Sequence, residues 1–181
     1  MKLGFLLEKA PALRFHAARL LMPAVRSSFG RLGTGSIIVS PLAVRGISQM
    51  FIGRGLLVRE HGWLQTEFTS SLTIGHDVFI GYRCHIHAVD DVTIGDRTMI
   101  ANDVTISSGK HGVEDHTEVL KDGPIVIGHN VFIGEKVLIK GGVTIGDNAT
   151  IGAGSIVTRD VPAGAPAAGV PARVISEPAA A

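Results

Sequence analysis

An isoleucine or valine returns every six positions over long stretches of this chain, in four groups of three: Ile74, Ile80, Ile86; Ile94, Ile100, Ile106; Ile127, Ile133, Ile139; and Ile145, Ile151, Val157. A helix repeats its apolar face at three and four residues and a half-buried strand at two, so a step of six is neither pattern extended. It marks a larger unit that buries its face only by stacking on copies of itself, which is a solenoid. A second register of small or β-branched residues runs four positions behind the isoleucines, at Val78, Cys84, Thr98, Val104, Val131, Val137, Val143, Ala149 and Ser155. An extended segment with one large and one small inward residue, followed by a bend, makes one flat side of a coil, and three sides close a triangular turn. Coils stacked in this way rise about 4.7–4.9 Å, the spacing of hydrogen-bonded strands. Each fully buried isoleucine contributes roughly 1.5–3 kcal/mol, which offsets the ordering of a chain holding 23 glycines.

The residues behind the isoleucines distinguish the corners. Behind the first two of each group stand Gly75 and Gly81, Gly95 and Ala101, Gly128 and Gly134, Gly146 and Gly152, as suits corners that need positive φ or close approach of backbones. Behind the third stand His87, Ser107, Lys140 and Thr158. The period also breaks at that third corner, by two extra residues between Ile86 and Ile94 and by fifteen between Ile106 and Ile127. An earlier coil of Ile52, Val58 and Leu64 again gains residues before Ile74. A scaffold that opens repeatedly at one edge and decorates it with polar residues displays a site there.

The 181 residues, 45% of them hydrophobic, read as one unit in three parts: a basic helical segment over 1–36, the coil over 37–161 with a loop over 107–126, and a C-terminal segment over 162–181. The net charge is only +1, but residues 1–31 hold six basic side chains against Glu8, a balance of +5, which leaves −4 for the rest. An acidic body argues against nucleic acid as a partner. The N-terminal segment does not read as a signal peptide, because charges interrupt its apolar residues. No stretch approaches the roughly 18 apolar residues of a membrane span. It reads as a helical cap over the open end of the coil, with peripheral contact to anionic lipid at the inner face of the membrane as the second reading. The lone Cys84 falls on the small inward register and reads as core.

With the repeat, the long third-corner loop and the ending "VTRDVPAGAPAAGVPARVI", the chain resembles the hexapeptide-repeat acyltransferases, in their galactoside, maltose and surface-polysaccharide O-acetyltransferase branch. The resemblance covers about Ile52 to Ile175, and "SSGKHG" and "GVPARVI" are its specific signals. It implies a left-handed parallel β-helix, a cytoplasmic homotrimer, and acetyl-CoA bound along the cleft between neighbouring subunits. It further implies direct transfer of acetyl from the thioester to a hydroxyl of a sugar or polysaccharide precursor, with no metal.

By the same resemblance His111, in "GKHGVEDH", is the general base. A sugar hydroxyl is a poor nucleophile, and an imidazole, ordinarily titrating near pH 6.5, is largely neutral at pH 7 and able to take its proton. Glu114, Asp115, Glu118 or a backbone carbonyl would orient it, and His116 reads as a plain loop residue. The backbone N–H of Glu135 is the donor to the developing oxyanion. Gly134, Ala153, Thr158, Arg159 and Arg173 face CoA, the two arginines suiting its phosphates. Asp90 and Asp91, in the short insertion, face the acceptor. Gly81 stands where the galactoside branch often has an acceptor-contacting asparagine, which turns the expectation towards another glycan. Transfer to the amine of an amino sugar nucleotide is the alternative. A zinc carbonic anhydrase-like β-helix, drawing on His85, His87 and His111, is a further one.

Overall fold

The computed structural model describes residues 4–67 and 69–175, so Lys2 and the tail 176–181 lie outside the described residues. The helix Gly4–Val25 and a single 3-10 turn, Arg26–Ser28, lead into a three-sided parallel β-solenoid. Among the described residues its faces are sheets of six, eight and six strands. Each strand pairs with the strand one full coil away, as six-residue sides require. The isoleucines stack in register: on the first face Ile52, Ile74, Ile94, Ile127 and Ile145 are successive partners. On the second, Val58, Ile80, Ile100, Ile133 and Ile151 follow one another. On the third, Leu64, Ile86, Ile106, Ile139 and Val157 do so. All of these residues, and every member of the smaller register, are buried in one continuous core. Burial pushes the Cys84 thiol up to about 11, as a core cysteine requires.

The coil reaches beyond 37–161 at both ends. Leu32, Ile38 and Val44 form a complete first coil, paired with Ile52, Val58 and Leu64. Val161 and Ala167 extend the stack past Ile145 and Ile151, and Ala172–Val174 closes it as an antiparallel strand. The helix lies against this first coil, burying Ala18 and half-burying Met22 and Val25.

The glycines behind the isoleucines do not take positive φ. Left-handed residues fall two places later, at Asp77, Arg97, Asn130 and Asn148 on the first corner and at Arg83, Asp103, Lys136 and Gly154 on the second. What the repeat glycines supply is close approach. A Cβ on Gly95 would stand 2.5 Å from the carbonyl of Gly128 in the next coil, well inside contact distance. The same corner carries a ladder of side chains that accept the N–H of the coil before: His76 from Arg54, Asp96 from His76, His129 from Asp96, and Asp147 from His129. The N–H of His76 holds the Asp96 carboxyl below its ordinary range.

Gly95→Ala is expected to lower unfolding free energy in urea by about 1–3 kcal/mol, the range of an overpacked site. Ala101→Gly, at the matching place on the second corner, should change it by less than about 1 kcal/mol.

Candidate active site

The site is built where the third face ends. Ser108 is fully buried there, its hydroxyl donating to the Asp90 carbonyl at 2.7 Å and accepting the Asp90 N–H at 2.9 Å. This ties the short insertion to the root of the long one. From that root rises an antiparallel hairpin, Gly109–His111 against Val119–Lys121, in which His111 faces Val119. The tip is held by its own bonds. The Gly112 N–H donates to Glu118, and Asp115 accepts both the hydroxyl and the N–H of Thr117, which depress its pKa. His116 donates Nδ1–H to the Gly112 carbonyl at 2.9 Å, a plain loop role. Asp115 is thus engaged elsewhere. Among the described residues no hydrogen bond or ion pair engages the exposed His111 ring, from Glu114, Asp115, Glu118 or any other group.

An ion cluster fixes the base of the hairpin. The Asp122 side chain, 7% exposed, lies 3.2 Å from Lys110 Nζ and 2.8 Å from Lys140 Nζ, so it joins the strand bearing His111 to the next coil. Burial opposes ionisation of Asp122, but the hydrogen bonds and charges of Lys140 and Lys110 prevail and hold its carboxyl below the usual range. Its N–H also donates to the Ser108 carbonyl. On the other strand, Lys121 Nζ reaches Asp90 Oδ1 at 3.3 Å. The two members of each of these pairs lie 12 or more positions apart in sequence.

Asp90 and Asp91 both sit at this corner with part of each carboxylate already bonded. Asp90 Oδ1 takes Lys121 and the Asp91 N–H, while Asp91 Oδ1 accepts the N–H and hydroxyl of Ser71. Thr158 and Arg159, both exposed, lie at the same corner three coils on. Gly134, Glu135 and Ala153 are elsewhere: they form the second corner, with the third face between them and the hairpin. Gly134 is explained by stacking, since a Cβ there would lie 2.6 Å from the Ala153 N. Glu135 is exposed, its carboxylate accepting from Asn102 Nδ2 at 2.8 Å. Among the described residues its N–H has no acceptor. Arg173 is exposed on the closing strand, with Nη1 donating to the Ala172 carbonyl. The chain alone therefore gathers His111, Asp90, Asp91, Thr158 and Arg159 at one edge and carries Gly134, Glu135 and Ala153 at another.

The outer side of the third face holds a row of interlocked side chains. Arg45 lies over Trp63, Trp63 packs against His85, and His85 stacks on His87 at 5.9 Å. His87 meets Glu67 at 3.2 Å, and Trp63 donates to Gln65. Burial, then the neighbouring His87, pushes the His85 pKa down. Both histidines are occupied by these contacts, and among the described residues no three His, Cys, Asp or Glu side chains converge where an ion would sit.

A three-sided hexapeptide β-helix with a histidine-bearing hairpin on one edge defines a class of protein, and the comparisons with known proteins agree with it. Residues 124–159 match the bacterial transferase hexapeptide (six repeats) model, and residues 71–108 match the hexapeptide repeat of succinyl-transferase. The chain is 46% identical over 142 residues to galactoside O-acetyltransferase of Escherichia coli (strain K12), covering 72% of this chain and 66% of that one. It is 41% identical over 128 residues to nodulation protein L of Rhizobium meliloti (strain 1021), covering 68% of each. A solved galactoside acetyltransferase in complex with coenzyme A superposes with a TM-score of 0.64 at 42% identity, over 70% of this chain and 64% of that one. The chain belongs to the hexapeptide-repeat acyltransferase family. It spans 66% of the length of the E. coli relative, about two thirds.

Asp122→Asn should leave the coil intact and raise amide hydrogen exchange across Gly109–His111 and Val119–Lys121. Because the folded-state pKa of Asp122 is depressed, its stabilisation is present above the ordinary carboxylate pKa of about 3.9 and is lost as pH falls through the lower folded value. Acidification through that window should loosen the wild-type hairpin and leave the variant unaffected.

Proposed function

We propose that the protein is an acetyl-CoA-dependent O-acetyltransferase that acetylates a hydroxyl of a sugar or polysaccharide precursor, in the cytoplasm and as a homotrimer. The observation that carries this reading is His111. It stands on a hairpin clamped at its base, at the decorated corner, with its ring unengaged among the described residues. A ring held in this way is free to take a hydrogen bond from a substrate.

The acceptor hydroxyl oxygen attacks the thioester carbonyl carbon while its proton passes to a ring nitrogen of His111. The new C–O bond leaves an oxyanion, which the unpaired N–H of Glu135 would receive without displacing an existing bond. Collapse breaks the C–S bond, and the departing CoA sulfur takes the proton back from the imidazolium. Gly134, Ala153, Thr158 and Arg159 would line the pantetheine arm, and Arg173 would meet the phosphates of the adenosine end with the guanidinium nitrogens other than the Nη1 that donates to the Ala172 carbonyl. The outward oxygens of Asp90 and Asp91 would hold the acceptor.

The placement of the candidate residues supports the proposed trimer. The Glu135 amide and His111 lie on different edges of one prism, so a single site with both needs the third corner of one copy against the second corner of its neighbour. An apolar column supports such packing. Leu57, Phe79, Met99 and Phe132 stack on the outside of the second face, with Met99 49% and Phe132 43% exposed.

His111→Ala should lower turnover by about 10²–10⁴-fold, the usual contribution of a general base. Its affinity for acetyl-CoA, measured by calorimetry, should stay unchanged. Undiminished turnover would remove His111 from the chemistry.

A further inference from the structure

The N-terminal helix has a face that the coil does not use. Its inner side packs on the first coil through Ala18, Met22 and Val25. The part of the helix surface that the coil leaves exposed would ordinarily be polar. Here it presents Leu13, Ala17, Leu20 and Ala24, spaced i, i+4, i+7 and i+11, all exposed, with Leu13 at 70% and Leu20 at 80%. Leu21 adjoins this stripe and Leu42, on the neighbouring corner of the first coil, is exposed as well. A groove of about 510 Å³ runs between helix and coil, lined by Leu13, Ala17, Leu21, Met22, Ile38 and Pro41. Arg14 and Arg19 flank the stripe on its two sides.

Charge selects what covers this face. From residue 9 to residue 31 the chain carries five basic side chains and no acidic one, against a body that is net acidic. A second copy placed here would set Arg14, Arg19 and Arg26 against their own counterparts. An anionic bilayer instead offers phosphates to the arginines and an acyl boundary to the leucines, and it repels the acidic body, so the contact is oriented. No helix among the described residues is long and apolar enough to cross a membrane, which makes the contact peripheral. We infer that the outer face of the Gly4–Val25 helix, with Leu42, docks the protein on an anionic lipid surface.

The test needs no substrate and so stands apart from the acetyl-transfer reading. The whole protein is sedimented with sucrose-loaded vesicles of phosphatidylcholine alone or with about 30% phosphatidylglycerol, an anionic content that attracts basic segments. Partitioning to the anionic vesicles should be at least about tenfold stronger and should fall as salt rises. Leu13→Asp with Leu20→Asp should abolish it, and Arg14→Glu with Arg19→Glu should weaken it by about tenfold or more, with unchanged thermal unfolding showing both variants folded. Equal binding to both vesicles, no binding, or full retention by the leucine variant would overturn the inference. An assembly larger than a trimer that dissociates on Leu13→Asp with Leu20→Asp would also overturn it, assigning the face to self-association.

Discussion

Everything in this molecule rests on how closely one coil lies on the next. Parallel strands set the rise at roughly 4.8 Å, and at that spacing the corner after each first isoleucine has room for a backbone and nothing more. The 2.5 Å that would separate a Cβ on Gly95 from the Gly128 carbonyl measures the constraint. Glycine at that corner lets the isoleucines of successive coils fall into register and bury fully. The left-handed residue two places on turns the chain into its next side. Local choice and global fold agree at every repeat, which is what makes a short hexapeptide sufficient to specify a long object.

The third corner escapes that constraint. Its glycines are replaced by His87, Ser107, Lys140 and Thr158, and chain can be inserted there without separating the coils. The hairpin carrying His111 leaves the stack after Ser107 and returns before Ile125, and the parallel pairing of the third face passes directly from Thr105–Ser107 to Leu138–Lys140. The regular part of the fold thus supplies a rigid floor. The inserted part is secured to it by a few buried polar groups, Ser108 and the carboxylate of Asp122 foremost. A side chain on a loop gains positional precision in this way without being buried itself.

The period made the core legible from sequence: the members of both inward registers named from their spacing are buried. The outermost coils were less so. Leu32, Ile38 and Val44 keep the six-residue step, but only the first is followed by glycine, and the preceding basic segment drew the boundary past Leu32. His111 could be singled out as a candidate because its motif is local. Its clamp was not, because Lys110, Asp122 and Lys140 meet only once the hairpin folds back on the coil, and no periodicity relates them. The corner glycines could be located from sequence, yet whether they served positive φ or close approach depended on backbone angles that composition does not contain. The outer apolar stripe of the helix was masked by its two prolines and interleaved arginines, and became distinct once the packed side was known.

The claim on which the functional reading turns is that chemistry occurs between copies, the hairpin edge of one prism against the Glu135 edge of another. Subunit mixing reads this directly. His111→Ala spoils one edge, and Ala153→Trp, at an exposed position, fills the other. Each variant alone should be inactive, and co-refolding them in equal amounts should restore about a quarter of wild-type activity, the fraction of interfaces that receive two intact edges in a cyclic oligomer. Activity that stays absent in mixed oligomers, shown to form by mass, would place both halves of the site within one chain and contradict the composite arrangement.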